Sequence, residues 1–118
     1  IVWHGHYVSY FEDAREAFGT KYGINYLDIN SHGYVTPIVK LNCEYKRSLH
    51  YGDVAIVKAT YIDSEAAKLI FRYEIHRKSD GDLIASGDTV QVMLDPNGDM
   101  SLVLPDFILE WKQRVGLT

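Results

Sequence analysis

The chain has 118 residues, 47% hydrophobic and 24% charged, with a formal net charge of −4. That length supports one core rather than two, and no apolar run approaches the roughly 18–20 residues of a membrane span. The acidic balance argues against nucleic acid as the main partner, since phosphate neutralisation needs a basic face.

The N-terminal segment Ile1–Arg15 is the most informative. A short apolar lead runs into a His/Gly turn and then directly into a helical pattern. Between Tyr7 and Tyr22 the residues Tyr7, Tyr10, Phe11, Ala14, Ala17 and Phe18 recur at the i, i+3, i+4, i+7 spacing of one helical face. Glu12, Asp13, Glu16 and Lys21 fall mostly on the other side, and Gly23 supplies the stop. Residues 28–33, Asp-Ile-Asn-Ser-His-Gly, read as a loop.

From Tyr34 the period changes from 3.6 to 2. Val39, Leu41, Cys43 and Tyr45 alternate with Lys40, Asn42, Glu44 and Lys46, a strand with one covered face. After the turn at Tyr51–Asp53, residues 54–62 are rich in β-branched side chains and form a second strand. Leu69, Phe71, Tyr73 and Ile75 mark a third, and residues 79–82 (Ser-Asp-Gly-Asp) the hairpin turn after it. Residues 84–94 read as a fourth strand and 101–104 as a short fifth. Pro105, Phe107, Ile108, Trp111 and Val115 suggest a closing helix. One long helix followed by a meander, without alternating βα units, predicts an α+β single domain over 1–118 with an antiparallel sheet. Its free sheet edges invite pairing with a second copy.

The junction of apolar lead and helix aims backbone N–H groups and the positive end of a helix dipole at one point, which suits a carbonyl oxygen or an anion. Trp3, His4, His6 and Tyr7 crowd there. Ser9 has no base at a recognisable spacing, and the lone Cys43 sits in a strand face with apolar neighbours, so nucleophilic catalysis by either is disfavoured. A single cysteine also excludes an internal disulfide and fits a reducing cytoplasm. His4 and His6 alone make too sparse a set for a metal, and none is expected. Glu12 either pairs with Arg15 on the surface or orients water near the junction. His76, Arg77 and Lys78, at a strand end, are either solvated or a phosphate clamp. His32 and His50 read as surface residues.

The motif Val2-Trp-His-x-x-Tyr7, followed by Tyr10-Phe-Glu-x-Ala-Arg15, resembles the hotdog-fold acyl-CoA thioesterases, in particular the 4-hydroxybenzoyl-CoA thioesterase and Tol–Pal-associated branch. The likeness runs over nearly the whole chain, including the turn at Tyr51–Asp53, the stretch Ile84-Ala-Ser-Gly87 and Leu94-Asp-Pro96. It implies a central helix wrapped by a curved antiparallel sheet, homodimers or homotetramers with active sites between subunits, and hydrolysis of acyl-CoA without a further cofactor. It implies that the backbone N–H at His4 polarises the thioester carbonyl, that the His4 imidazole assists proton transfer, and that Trp3 and Tyr7 line the acyl end. His76, Arg77 and Lys78 match the region that meets the CoA phosphates. The family's catalytic aspartate would lie four residues ahead of Ile1, and its first strand earlier still, so the sequence is expected to be N-terminally incomplete. Alternatives are an acyl-carrier-protein thioesterase and a non-catalytic acyl-binding or assembly module.

Overall fold

The computed structural model describes residues 4–117, with the side chains of the first helix from His6 onward. The helix α1 spans His4–Tyr22. Tyr7 and Phe11 are buried on its inner face, with Tyr10, Ala14 and Phe18 packed around them, as the periodicity requires. At its end Gly23 adopts φ 86°, a conformation that costs glycine little, and its N–H donates to the Gly19 carbonyl at 2.8 Å.

The chain then starts a second helix where a loop was expected. This short α2 covers Tyr26–Ser31. Its cause is a reciprocal capping box: the Asn25 side chain accepts from the Asp28 N–H at 2.8 Å, and the Asp28 carboxylate accepts from the Asn25 N–H at 3.1 Å. Ile29 is driven fully into the core by this turn.

Four antiparallel strands follow: β1 Ile38–Tyr45, β2 Ala55–Ile62, β3 Lys68–Arg77 and β4 Leu83–Val92, in the spatial order β1-β4-β3-β2. The last three form a meander, while β1 reaches over to pair with β4, matching Tyr45 with Ala85 and Leu41 with Thr89. Leu69, Phe71, Tyr73 and Ile75 of β3 all face the core and are almost wholly buried, with Phe71 meeting Phe18 and Tyr73 meeting Phe11 of α1. Each such side chain contributes about 1.5–3 kcal/mol of apolar burial. Phe11 stacks on Tyr73 with ring centroids 4.7 Å apart. Gly87 of β4 makes that approach possible, because a Cβ there would lie 2.7 Å from Phe11 Cε2 and would also strike the Asn42 carbonyl.

The expected fifth strand does not form. Leu94 makes isolated bridges to Val35 and Met100, and within residues 101–104 only a bend at Leu102 and Val103 interrupts irregular chain. Leu102 and Val103 are largely exposed, so this segment has no covered face to hold a strand register. The helix α3, Asp106–Arg114, begins at Pro105 as predicted. It is pinned by the Trp111 indole, which donates to the Tyr22 carbonyl at 2.8 Å, and by Lys112, bound to the Ser64 carbonyl at 2.8 Å and to Asp63 at 2.6 Å.

Candidate active site

The first turn of α1 carries no acidic residue, so its orphan amides and positive dipole end are not neutralised by a local carboxylate. The backbone amide of His4 opens the helix. Tyr7, one turn on, is fully buried, with its ring 5.8 Å from Tyr45 at the end of β1 and 6.3 Å from Tyr10. Burial and then the neighbouring Tyr45 push the Tyr7 phenol pKa up, opposed by the Leu49 backbone amide. Leu49 itself, carried on the connection between β1 and β2, is 2% exposed within the same core. Thus three separated segments meet at one place: the helix start, the end of β1 and the loop after it.

Of the residues proposed from sequence, Trp3 lies outside the described residues, as does the side chain of His4. His6 is exposed and Tyr7 is at the junction of the three segments. Glu12 is exposed on the solvent side of α1 and makes no surface pair with Arg15, because Arg15 is in the core at 2% exposure. There its Nε donates to Gln91 Oε1 at 3.0 Å and its Nη2 to the Ile24 carbonyl at 3.1 Å, while the guanidinium lies 4.6 Å from the centre of the Phe71 ring. Desolvation pulls the pKa of Arg15 down. Gln91 continues the network by donating to the Thr36 carbonyl at 2.7 Å. Tyr45 and Leu49 were not singled out from sequence. Tyr45 had a signal, as the last residue of the alternation expected to give β1 one covered face. That face is not covered in the subunit, where Val39, Leu41 and Tyr45 are exposed and Cys43 alone is partly buried, because β1 is an edge strand. Leu49, in a polar connection, had none.

At the far end of β3, His76 contacts the Glu74 carboxylate at 3.3 Å and the Gly81 carbonyl at 3.2 Å. Arg77 is bound among acidic side chains, and Lys78 is exposed. Cys43 is half-buried, its thiol pKa pushed up by burial, which disfavours the thiolate a nucleophile needs. Among the described residues no group of His, Cys, Asp and Glu could hold a metal ion, and no helix is long and apolar enough to cross a membrane.

The model of one family, the thioesterase-like superfamily, matches residues 2–112. The chain belongs to that superfamily. Its thioesterase relatives include the Bacillus subtilis protein named "Putative acyl-CoA thioesterase YneP", 30% identical over 95 residues that make up 80% of this chain and 68% of that protein. Among solved structures, the DHNA-CoA thioesterase of Staphylococcus aureus superposes with a TM-score of 0.83 at 26% identity, covering 99% of this chain and 80% of the other. A 1,4-dihydroxy-2-naphthoyl-CoA thioesterase from Synechocystis, at 21% identity, shows the same fold with a TM-score of 0.82, covering 94% of this chain and 82% of its own. The α+β arrangement of one long helix packed on an antiparallel sheet is therefore the hotdog fold, and the chain is a thioester hydrolase of this superfamily.

Proposed function

We propose that this thioesterase acts on acyl-CoA, with the thioester carbonyl bound at the start of α1. The observation that carries this reading is the helix terminus itself: amides with no acidic residue in the first turn, beside the buried Tyr7 and the exposed Tyr45 ring it meets. Water adds to the thioester carbon, the carbonyl oxygen takes up negative charge, and the amide at His4 stabilises it. The C–S bond then breaks, the acid departs, and the CoA thiolate takes a proton. Such a preorganised donor is worth about 3–4 kcal/mol in the transition state. We assign activation of water to the carboxylate that the family resemblance places ahead of Ile1. The His4 imidazole would assist proton transfer, while Trp3 and Tyr7 would line the acyl end. Glu12, exposed on α1 in the single subunit, would orient water near the junction. In the His76–Lys78 cluster the exposed cation is Lys78, which forms no ion pair among the described residues, and we assign the CoA phosphates to it.

The motif Tyr10-Phe-Glu-x-Ala-Arg15 supports placing the chain in the 4-hydroxybenzoyl-CoA and Tol–Pal-associated branch. A second copy would cover the free edge of β1, where Val39 and Leu41 are exposed, giving a homodimer or a homotetramer. The lone thiol fits a cytoplasmic setting.

Two substitutions at His4 test the mechanism. Proline is tolerated at the first helical position but has no N–H. His4→Pro in the full-length protein should therefore lower kcat for thiol release from acyl-CoA by about 10²–10³-fold, whereas His4→Ala, which keeps the amide, should lose far less. Equal activity of His4→Pro and the parent would refute the role of the amide. Absence of thiol release from both aromatic and aliphatic acyl-CoAs, alongside turnover of an acyl-carrier-protein substrate, would favour the alternative substrate class.

A further inference from the structure

Arg77 ends β3 with its side chain only 18% exposed, and its guanidinium makes two hydrogen bonds and two longer ion-pair contacts. Nη1 donates to Asp80 at 2.6 Å and lies 3.8 Å from Asp82, while Nε lies 3.6 Å from Asp53. Nη2 donates to the Ser48 carbonyl at 2.8 Å. Three carboxylates around one guanidinium, with Arg47 adding a second cation 3.7 Å from Asp82, leave the cluster short of positive charge. A phosphate brought to the Arg77 guanidinium itself, rather than to the exposed Lys78 beside it, would meet three carboxylates already in place. The Asp80 contact comes first among the influences that raise the Arg77 pKa, so the cation is permanent.

What Arg77 grips is the more telling fact. The hydroxyl of Ser48 is 2.6 Å from the Tyr45 hydroxyl, and Leu49 follows immediately, buried against the first turn of α1. Asp53, the carboxylate nearest Nε, also accepts from the His50 N–H at 2.8 Å and so closes the same loop from its other end. The Lys78 N–H, just past the end of β3, donates to the Val54 carbonyl at 2.8 Å. One side chain therefore ties the β3–β4 hairpin to both ends of a loop that supplies a wall of the site.

We propose that Arg77 is a positioning residue for thioester hydrolysis, locking loop 46–53 so that Tyr45 and Leu49 hold Tyr7 and the start of α1 in register. It acts through Ser48 and Asp53 and touches no substrate phosphate. This rests on the acyl-CoA reading above, and the test separates the two. In the full-length protein, Arg77→Gln is assayed on an acyl-CoA and on the matching S-acyl pantetheine, which keeps the thioester and lacks the nucleotide phosphates. The expected result is a fall in kcat of about tenfold or more that is the same for both substrates, since small misplacements at a distance from the chemistry carry such costs. Arg77→Lys should recover part of it, and Arg72→Gln, on the outer sheet face, should match the parent. A loss confined to the acyl-CoA and expressed as a higher KM would overturn the proposal in favour of phosphate binding; parent-like turnover of both substrates by Arg77→Gln would overturn it outright. Amide hydrogen exchange supplies a readout independent of activity: residues 48–53 and the first turn of α1 should exchange faster in Arg77→Gln while α3 is unchanged. Unaltered exchange there would overturn the positioning role, even if the parent hydrolysed neither thioester and the acyl-CoA reading had failed. Should Arg77→Gln not fold, Asp53→Asn, which keeps the Asp80 contact, is expected to show the same loop exchange in milder form, and unchanged loop exchange in that variant would overturn the proposal.

Discussion

Gly87→Ala is the sharpest test of how α1 is seated. The added Cβ would lie 2.7 Å from Phe11 Cε2 and 3.0 Å from Cζ, roughly 1 Å inside the 3.5–4.0 Å optimum for carbon pairs. The ring cannot retreat freely, because it is stacked on Tyr73, itself 1% exposed. On the sheet side the obstacle is the Asn42 carbonyl of β1, which is backbone and moves only with the strand. Overpacking of this kind costs about 1–3 kcal/mol, offset by about 0.5–1 kcal/mol because alanine loses less chain entropy than glycine. A net loss of about 1–2 kcal/mol remains, out of about 5–15 kcal/mol for a domain of this size. It should appear as a Tm lower by about 4–10 °C and a matching drop in the urea midpoint, followed by fluorescence of the buried Trp111. A Tm equal to or above that of the parent would mean that Phe11 and β1 are not closed on this glycine.

Tyr61 has a buried hydroxyl with no hydrogen-bond partner among the described residues, so Tyr61→Phe should raise stability by about 1 kcal/mol in urea unfolding; a loss would show that the hydroxyl is bonded. Burial pushes its pKa up to about 12 from 10.0, so the folded state keeps the proton longer than the unfolded one. The associated stability is full below about pH 10 and disappears between about pH 10 and 12; Tyr61→Phe should flatten that decline, and an unchanged slope would refute the assignment. Arg15→Met and Gln91→Leu should each cost about 2–4 kcal/mol by orphaning the partner, and the double variant should cost at least about 1 kcal/mol less than the sum in thermal unfolding. Strict additivity would show that the two side chains are independent. Cys43→Ser should retain thioesterase turnover, and the Cys43 thiol, its pKa raised by burial, should alkylate slowly at neutral pH; abolished turnover would reinstate the nucleophile.

The long helix and the four strands were legible because their periods are long and clean: Tyr7, Phe11 and Phe18 on one side of α1, and the alternation of β3, whose covered residues are the ones buried. The short α2 escaped because six residues carry too little periodicity. Its signal was local, an Asn25-x-x-Asp28 box in which aspartate takes the place of the usual glutamate. Arg15 was misread from its charge, although it sits four residues after Phe11 and three before Phe18, squarely on the buried face. The candidate site was half visible. Its helix start is contiguous in sequence, but Tyr45 and Leu49 join it only through the pairing of β1 with β4 and the grip of Arg77 on the intervening loop. No local pattern encodes such a meeting.

That crossing of β1 over to β4 also bears on the order in which the molecule assembles. The β3–β4 hairpin closes across a tight turn, whereas β1 must find β4 with the whole β2–β3 segment lying between them in sequence. Long-range pairings come late because chain closure has to be completed before contacts reward it. Pulse-labelled refolding should protect amides of β3 and β4 before those of β1. The wall that Tyr45 contributes would then be the last part of the enzyme to exist, and a folding chain would pass through a stage with a seated hairpin and no working site.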